Sequence, residues 1–118
     1  MNQAIPLTHN AFDEKRQSER RPLFCKVQLM FSRQAVGARA LDVSTGGLAV
    51  VADINAPVGQ ACTVSFPLSA QDGTSRDLTL QASVLHSVLT HDGFRLGLRF
   101  MQPDDPTKRL LKRYVDGG

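Results

Sequence analysis

The sequence predicts an all-β domain of six antiparallel strands, folded as a small barrel or sandwich and followed by one amphipathic helix. Three observations lead there. Apolar residues recur with period two in six stretches between residues 25 and 100. Turn-forming Gly, Asp, Ser and Pro separate these stretches at short spacing. The apolar period changes to that of a helix only near the C-terminus, so the strand–helix alternation of a parallel α/β fold is missing. A barrel has the further merit of leaving no unpaired sheet edge.

In chain order, residues 1–12 show neither period and are read as a mobile tail. The densest charge follows: within 13–26 lie Lys15, Arg16, Arg20, Arg21 and Lys26 against Asp13, Glu14 and Glu19. Pro22 separates this basic leader, 13–22, from the first strand. In that strand Cys25, Val27, Leu29 and Phe31 alternate with Lys26, Gln28, Met30 and Ser32. A second strand is expected at about 38–43, and the small residues Ser44, Thr45, Gly46 and Gly47 turn it into a third over Leu48, Ala49, Val50 and Val51. After a break at Ala56, Pro57, Val58 and Gly59 come Cys62, Val64 and Phe66, and then a turn at Asp72 and Gly73.

The fifth strand is long, with Leu78, Leu80, Ala82 and Val84 on one face. Leu85 and Val88 join that face only if the strand bulges near His86. Asp92 and Gly93 are the strongest short hairpin signal, and beyond them Phe94, Leu96, Leu98 and Phe100 alternate with Arg95, Gly97 and Arg99. A helix is expected over about 105–116: Asp105 caps it, Pro106 takes the first helical position, Leu110, Leu111, Tyr114 and Val115 share a face, and Gly117 ends it. That face most simply covers one end of the strands, and also suits a docked partner.

Composition narrows the function. The 118 residues suit one domain, read as 13–118 behind the tail, and 42% hydrophobic with 21% charged residues excludes a disordered or fibrous chain. The net charge of +3 demands neither nucleic acid nor membrane. No stretch is long and apolar enough to span a bilayer and the N-terminus lacks signal-peptide features, which predicts a cytoplasmic protein without membrane insertion. Cys25 and Cys62 are too few for a disulfide framework or zinc site and are read as small buried hydrophobes. His9, His86 and His91 have no ligand partners at useful spacing, so no metal is expected. Ser44 lacks a nucleophile elbow and no carboxylates are paired for acid–base work, so no enzyme is expected.

Two short patterns carry chemistry. One is RxxxR at Arg16 and Arg20, with Arg21 adjacent; the other is DxSxxG at Asp42, Ser44 and Gly47. Each alone reads as solvated charge or turn chemistry. Arginine's planar fork grips a phosphate or the N7/O6 edge of guanine bidentately. An aspartate such as Asp42 accepts hydrogen bonds, the Ser44 hydroxyl both donates and accepts, and Gly47 permits close backbone approach.

Together, RxxxR before the first strand and DxSxxG across the next hairpin resemble the PilZ domain family. The closing strand GFRLGLRF at 93–100 and the terminal helix extend that resemblance over nearly the whole chain from about residue 13. It implies a six-stranded, Greek-key-like barrel that receives cyclic di-GMP, with Arg16, Arg20, Asp42, Ser44 and Gly47 on the ligand and Arg21 extending the first motif. It also implies a ligand-ordered leader that closes like a strap and regulates a partner protein in motility, exopolysaccharide and biofilm, or chemotaxis control. Some members stack an aromatic residue on a guanine. This chain has no Trp and no aromatic between Phe66 and Phe94; His86 is the substitute on offer, although a strand histidine is more often structural. Two other readings stand beside the receptor: a protein-interaction adaptor of the same fold that binds no nucleotide, and a weak nucleic-acid binder using the basic leader, which lacks a stacking surface.

Overall fold

The computed structural model describes residues 19–117, so the tail at 1–12 and most of the leader, Arg16 included, lie outside it. Its elements are β1 (Arg21–Pro22), β2 (Lys26–Phe31), β3 (Gln34–Val43), β4 (Gly47–Ala52), β5 (Ala61–Ser69), β6 (Ser75–Thr90), β7 (Gly93–Phe100) and α1 (Asp105–Val115). β2 to β7 close an antiparallel barrel in the order β3-β2-β5-β6-β7-β4, with β4 pairing back onto β3. The barrel, not the sandwich, therefore forms. β4 and β5 are consecutive but unpaired, which is the Greek-key step. The two-residue β1, too short to show a period, pairs Arg21 with Val43 and Pro22 with Asp42.

Period two holds where both faces are well defined. Every second residue of β2 is buried, and Cys62, Val64, Phe66 and Leu68 of β5 point inward. Leu29, Val64, Leu96 and Leu98 are essentially sealed from solvent, and the rings of Phe66 and Phe100 stack at 6.3 Å. Each such side chain contributes about 1.5–3 kcal/mol by leaving water. Cys62 is in this core, but Cys25 is only half-buried because it precedes β2, where its carbonyl accepts from the Ala40 N–H at 2.8 Å. Burial pushes both thiols above their usual range.

Two bulges re-phase the wall. In β3, Ala40 pairs with Val50 and Asp42 with Ala49, which leaves Leu41 as the extra residue. Ala38 and Ala40 face the core before it and Val43 after it, so the bulge turns Asp42 outward. In β6 the register shifts between Val84 and His86, as the sequence suggests, but Leu85 and Val88 do not join the inner face. They are 50% and 53% exposed, because the extra residue sends Val88 to the outer wall.

α1 begins one residue earlier than expected. Asp104, not Asp105, is the cap: its carboxylate accepts from the Thr107 N–H at 2.9 Å and its carbonyl takes the first helical bond from the Lys108 N–H at 2.9 Å. Pro106 then falls at the second helical position, where a missing N–H still costs nothing. Leu111 is fully buried in the core, with Leu110 and Tyr114 packed at its margin. Gly117 ends the helix in the left-handed region at φ 98°, donating to the Tyr114 carbonyl. Among the described residues no helix is long and apolar enough to cross a membrane.

Candidate functional site

Three outward-facing rows cross the barrel wall. One runs Asp42, Ala49, Gly97, His86; the next runs Arg39, Val51, Arg95, Val88; the third runs Gly47, Arg99, Ser83. The first row covers three strand spacings, about 14 Å. Its middle is a floor of the two smallest side chains available, Ala49 and Gly97. The His86 ring lies directly over Gly97, where a Cβ would come within 2.2 Å of Nε2. Arg39, Arg95 and Arg99 stand around this floor, and none has a hydrogen-bond, ion-pair or ring partner among the described residues. The wall thus presents three guanidiniums without partners among the described residues around a bed of small side chains.

Arg20 and Asp42 meet at the edge of the bed. Arg20 Nη1 lies 2.5 Å from Asp42 Oδ1, with the two side chains 42% and 23% exposed. Both remain open to solvent, so water and other ligands can compete for them. The β3 bulge and the β1 rung place this pair, the first by turning Asp42 outward and the second by tying the leader alongside it.

Arg21 goes the other way. Its Nη1 donates to the Tyr114 carbonyl at 2.6 Å, its guanidinium lies 4.2 Å from the Tyr114 ring centroid, and the Tyr114 hydroxyl donates to the Pro22 carbonyl at 3.0 Å. Consecutive arginines thus serve two ends of the molecule, the wall and the helix.

Ser44 and Gly47 are both buried, Gly47 on the outer side of β4 where β7 closes over it. Ser44 is 2% exposed, and its Oγ accepts from the N–H groups of Gly46 and Gly47 at 3.1 and 3.0 Å. A Cβ on Gly47 would lie 2.2 Å from the Leu98 carbonyl oxygen, so the close backbone approach made there is between β4 and β7. Both residues shape the turn that carries Asp42 into β4. Of the sequence-derived candidates, the structure brings Arg20 and Asp42 together, puts Ser44 and Gly47 in the β3–β4 turn and seats Arg21 on α1. Arg16 lies outside the described residues.

Sequence reasoning did not single out Arg39, Arg95 and Arg99. Alternation already marked the last two as outward-facing, but only the strand order shows that β7 and β3 flank β4. A groove of 480 Å³ adjoins the bed, lined by Lys26, Gln28, Gly37, Arg39, Val51 and Asp53 among others. An apolar one of 340 Å³ runs beside Phe24, Cys25 and Leu41. Arg39 borders both.

The family model for the PilZ domain matches residues 14–117. No curated protein matches the chain significantly. Among solved structures, it is similar to the Bacillus subtilis inhibitor of motility MotI/DgrA, with TM-score 0.76 and 17% identity over 85% of this chain and 49% of that one. It is similar to Escherichia coli YcgR in complex with c-di-GMP, with TM-score 0.66 and 18% identity over 86% and 45%. It is also similar to Borreliella burgdorferi PlzA in complex with c-di-GMP, with TM-score 0.65 and 15% identity over 94% and 45%. The chain spans about half the length of each of these three, and at such identities the likeness is one of fold. The family match, by contrast, takes in nearly every residue from the leader to the terminal helix: the chain belongs to the PilZ domain family.

Proposed function

We propose that this chain is a cytoplasmic receptor for cyclic di-GMP that binds the nucleotide without transforming it and passes the event to a partner protein. The observation that carries the reading is the solvent-open Arg20–Asp42 pair at the rim of a cationic, small-residue bed. Two PilZ structures of similar fold, YcgR and PlzA, are complexes with c-di-GMP, which supports the same ligand here.

The chemistry follows from the groups. Cyclic di-GMP is a dianion with two guanines. Asp42 accepts from the N1 and N2 donors of one guanine, while Arg20 exchanges Asp42 for the N7/O6 edge or a phosphodiester. Arg16 adds a second fork from the leader, and Arg39, Arg95 and Arg99 supply field and donors along the bed. The His86 ring over Gly97 offers a planar face to a base. Ser44 and Gly47 hold the turn, so the ligand meets a preformed wall. The partner then reads the leader and α1 in motility, exopolysaccharide and biofilm, or chemotaxis control.

Isothermal titration of the whole chain with cyclic di-GMP tests this. Saturable binding is expected, with Arg16→Ala, Arg20→Ala and Asp42→Ala each weakening it about tenfold or more, since a charge-assisted hydrogen bond is worth about 1.5–3 kcal/mol. No binding by the parent sinks the receptor. Three variants that bind like the parent sink the site. Binding to single-stranded DNA that persists at physiological salt would favour the nucleic-acid reading instead.

A further inference from the structure

The outward positions of β4 are Ala49 and Val51, and Asp53 continues the same phase just past the end of the strand. Each marks one rung of the wall. Asp42 lies opposite Ala49, and Arg39 and Arg95 flank Val51 from β3 and β7. Because Ala38 pairs with Ala52, Gly37 comes next in line beside Asp53. Ala49 and Asp53 are four residues apart, about 14 Å along a strand, and the backbones of Arg39 and Arg95 are two strand spacings apart, about 10 Å. Along the wall the order is therefore carboxylate, a pair of guanidiniums, carboxylate.

The two ends of this series differ in one respect. At the near end Asp42 is bridged by Arg20. At the far end Asp53 lines the 480 Å³ groove with Lys26 and Arg39, yet no ion pair closes across it, and none of the three has a hydrogen-bond or ion-pair partner among the described residues. The groove lies within the roughly 300–1,000 Å³ usual for small-molecule sites. Its floor is Gly37, above which the space is open. Gly93 helps to form it: a Cβ there would lie 2.6 Å from the Ala52 carbonyl oxygen, so the β6–β7 hairpin rests on the end of β4 and brings Asp92 to the groove as a second acceptor.

Resting on the nucleotide reading above, we infer that this groove is a second guanine site, so that one cyclic di-GMP lies along the wall with a base at each end. The ligand has the same order as the wall. Each guanine presents N1 and N2 donors beside an N7/O6 acceptor edge, and two phosphodiesters lie between the bases. Asp42 and Arg20 take one guanine. Asp53 accepts from the N1 and N2 donors of the other, which lies over Gly37 with Lys26 at its O6 and N7. The phosphodiesters fall between these ends, on the rung of Arg39 and Arg95. The wall thereby selects the open form of the ligand, with its bases on opposite sides of the phosphate ring. A folded form with adjacent bases would leave Asp53 unmet. Adenine does not fit this end, since its N1 is an acceptor and it has no 2-amino group, so Asp53 would face a lone pair.

Isothermal titration of the whole chain with cyclic di-GMP and with cyclic GMP-AMP, which has a single guanine, tests the assignment. The parent is expected to bind one cyclic di-GMP per chain and to hold cyclic GMP-AMP at least about fivefold more weakly, the discrimination of one bidentate base contact. A site that reads one guanine alone would hold the two ligands within about twofold, the statistical advantage of two guanines over one. Asp53→Ala, which removes the acceptor, and Gly37→Val, which fills the floor, are expected to weaken cyclic di-GMP about fivefold or more and to bring the two ligands within that twofold. Both positions are exposed, so circular dichroism should stay parent-like. A parent that binds neither ligand removes the receptor and this site together. A parent that binds both alike, a ratio of two nucleotides per chain, or variants that keep the parent's affinity and discrimination overturn the second guanine site and leave the receptor standing.

Discussion

Gly47 and Gly97 face outward on neighbouring strands, yet a methyl group at each meets different obstacles. At Gly47 it strikes the Leu98 carbonyl oxygen, which is backbone and cannot step aside. Gly47→Ala is expected to destabilise the barrel by about 1–3 kcal/mol, the usual cost of overpacking, read by chemical denaturation. At Gly97 the methyl meets only the far end of the His86 side chain, which can swing away. Gly97→Ala is therefore expected to keep parent-like stability and to lose cyclic di-GMP affinity severalfold as the ring leaves its place. Asp42→Asn separates binding from folding in the same way: an exposed ion pair is worth about 0–1 kcal/mol, so the melt stays near the parent's while titration shows the loss. Asp42 and Gly47 were legible because a short spacing marked them. Arg39, Arg95 and Arg99 were not, since what makes them a group is adjacency across strands.

Local chemistry explains which elements could be read ahead. Alternation gave β2, β5 and β7 with little error because each has one buried face. β1 was hidden because two residues cannot show a period. The β3 bulge was hidden because one extra residue, Leu41, leaves no compositional trace, although it alone decides that Asp42 faces out. The α1 cap was misread by one position because Asp104 and Asp105 are adjacent and both chemically suited. Hydrogen bonds from the Thr107 side chain and N–H hold the Asp104 carboxyl below the usual aspartate range. Its folded-state pKa is thus depressed, so the capping contribution is fully present above the ordinary aspartate range and is lost as pH falls through the lower folded value. Far-UV circular dichroism is expected to show helix loss in acid for the parent, with less pH dependence in Asp104→Asn, which keeps a neutral cap. Arg21→Ala should cost about 2 kcal/mol through a charged hydrogen bond and a cation–π contact and should loosen α1, seen as faster amide exchange around Tyr114.

Across the whole molecule, alternating strands and tight turns announced an antiparallel β protein, and closure followed from β4 returning to β3. What no one-dimensional pattern states is where charge gathers once the wall is closed. Arg20, Arg39, Arg95 and Arg99 come from three separate stretches of chain and meet on one side. A dianionic ligand held there is expected to bind more weakly as salt rises, by titration at increasing ionic strength, and Arg95→Gln with Arg99→Gln should flatten that dependence. The opposed directions of Arg20 and Arg21 have a mechanical corollary. Because adjacent residues of an extended segment point to opposite sides, the wall contact of Arg20 and the helix contact of Arg21 both hang on the single Arg21–Pro22 rung. One residue inserted between the two arginines is expected to turn both to the same side and to part Arg21 from Tyr114 while Arg20 keeps Asp42, seen as faster amide exchange around Tyr114.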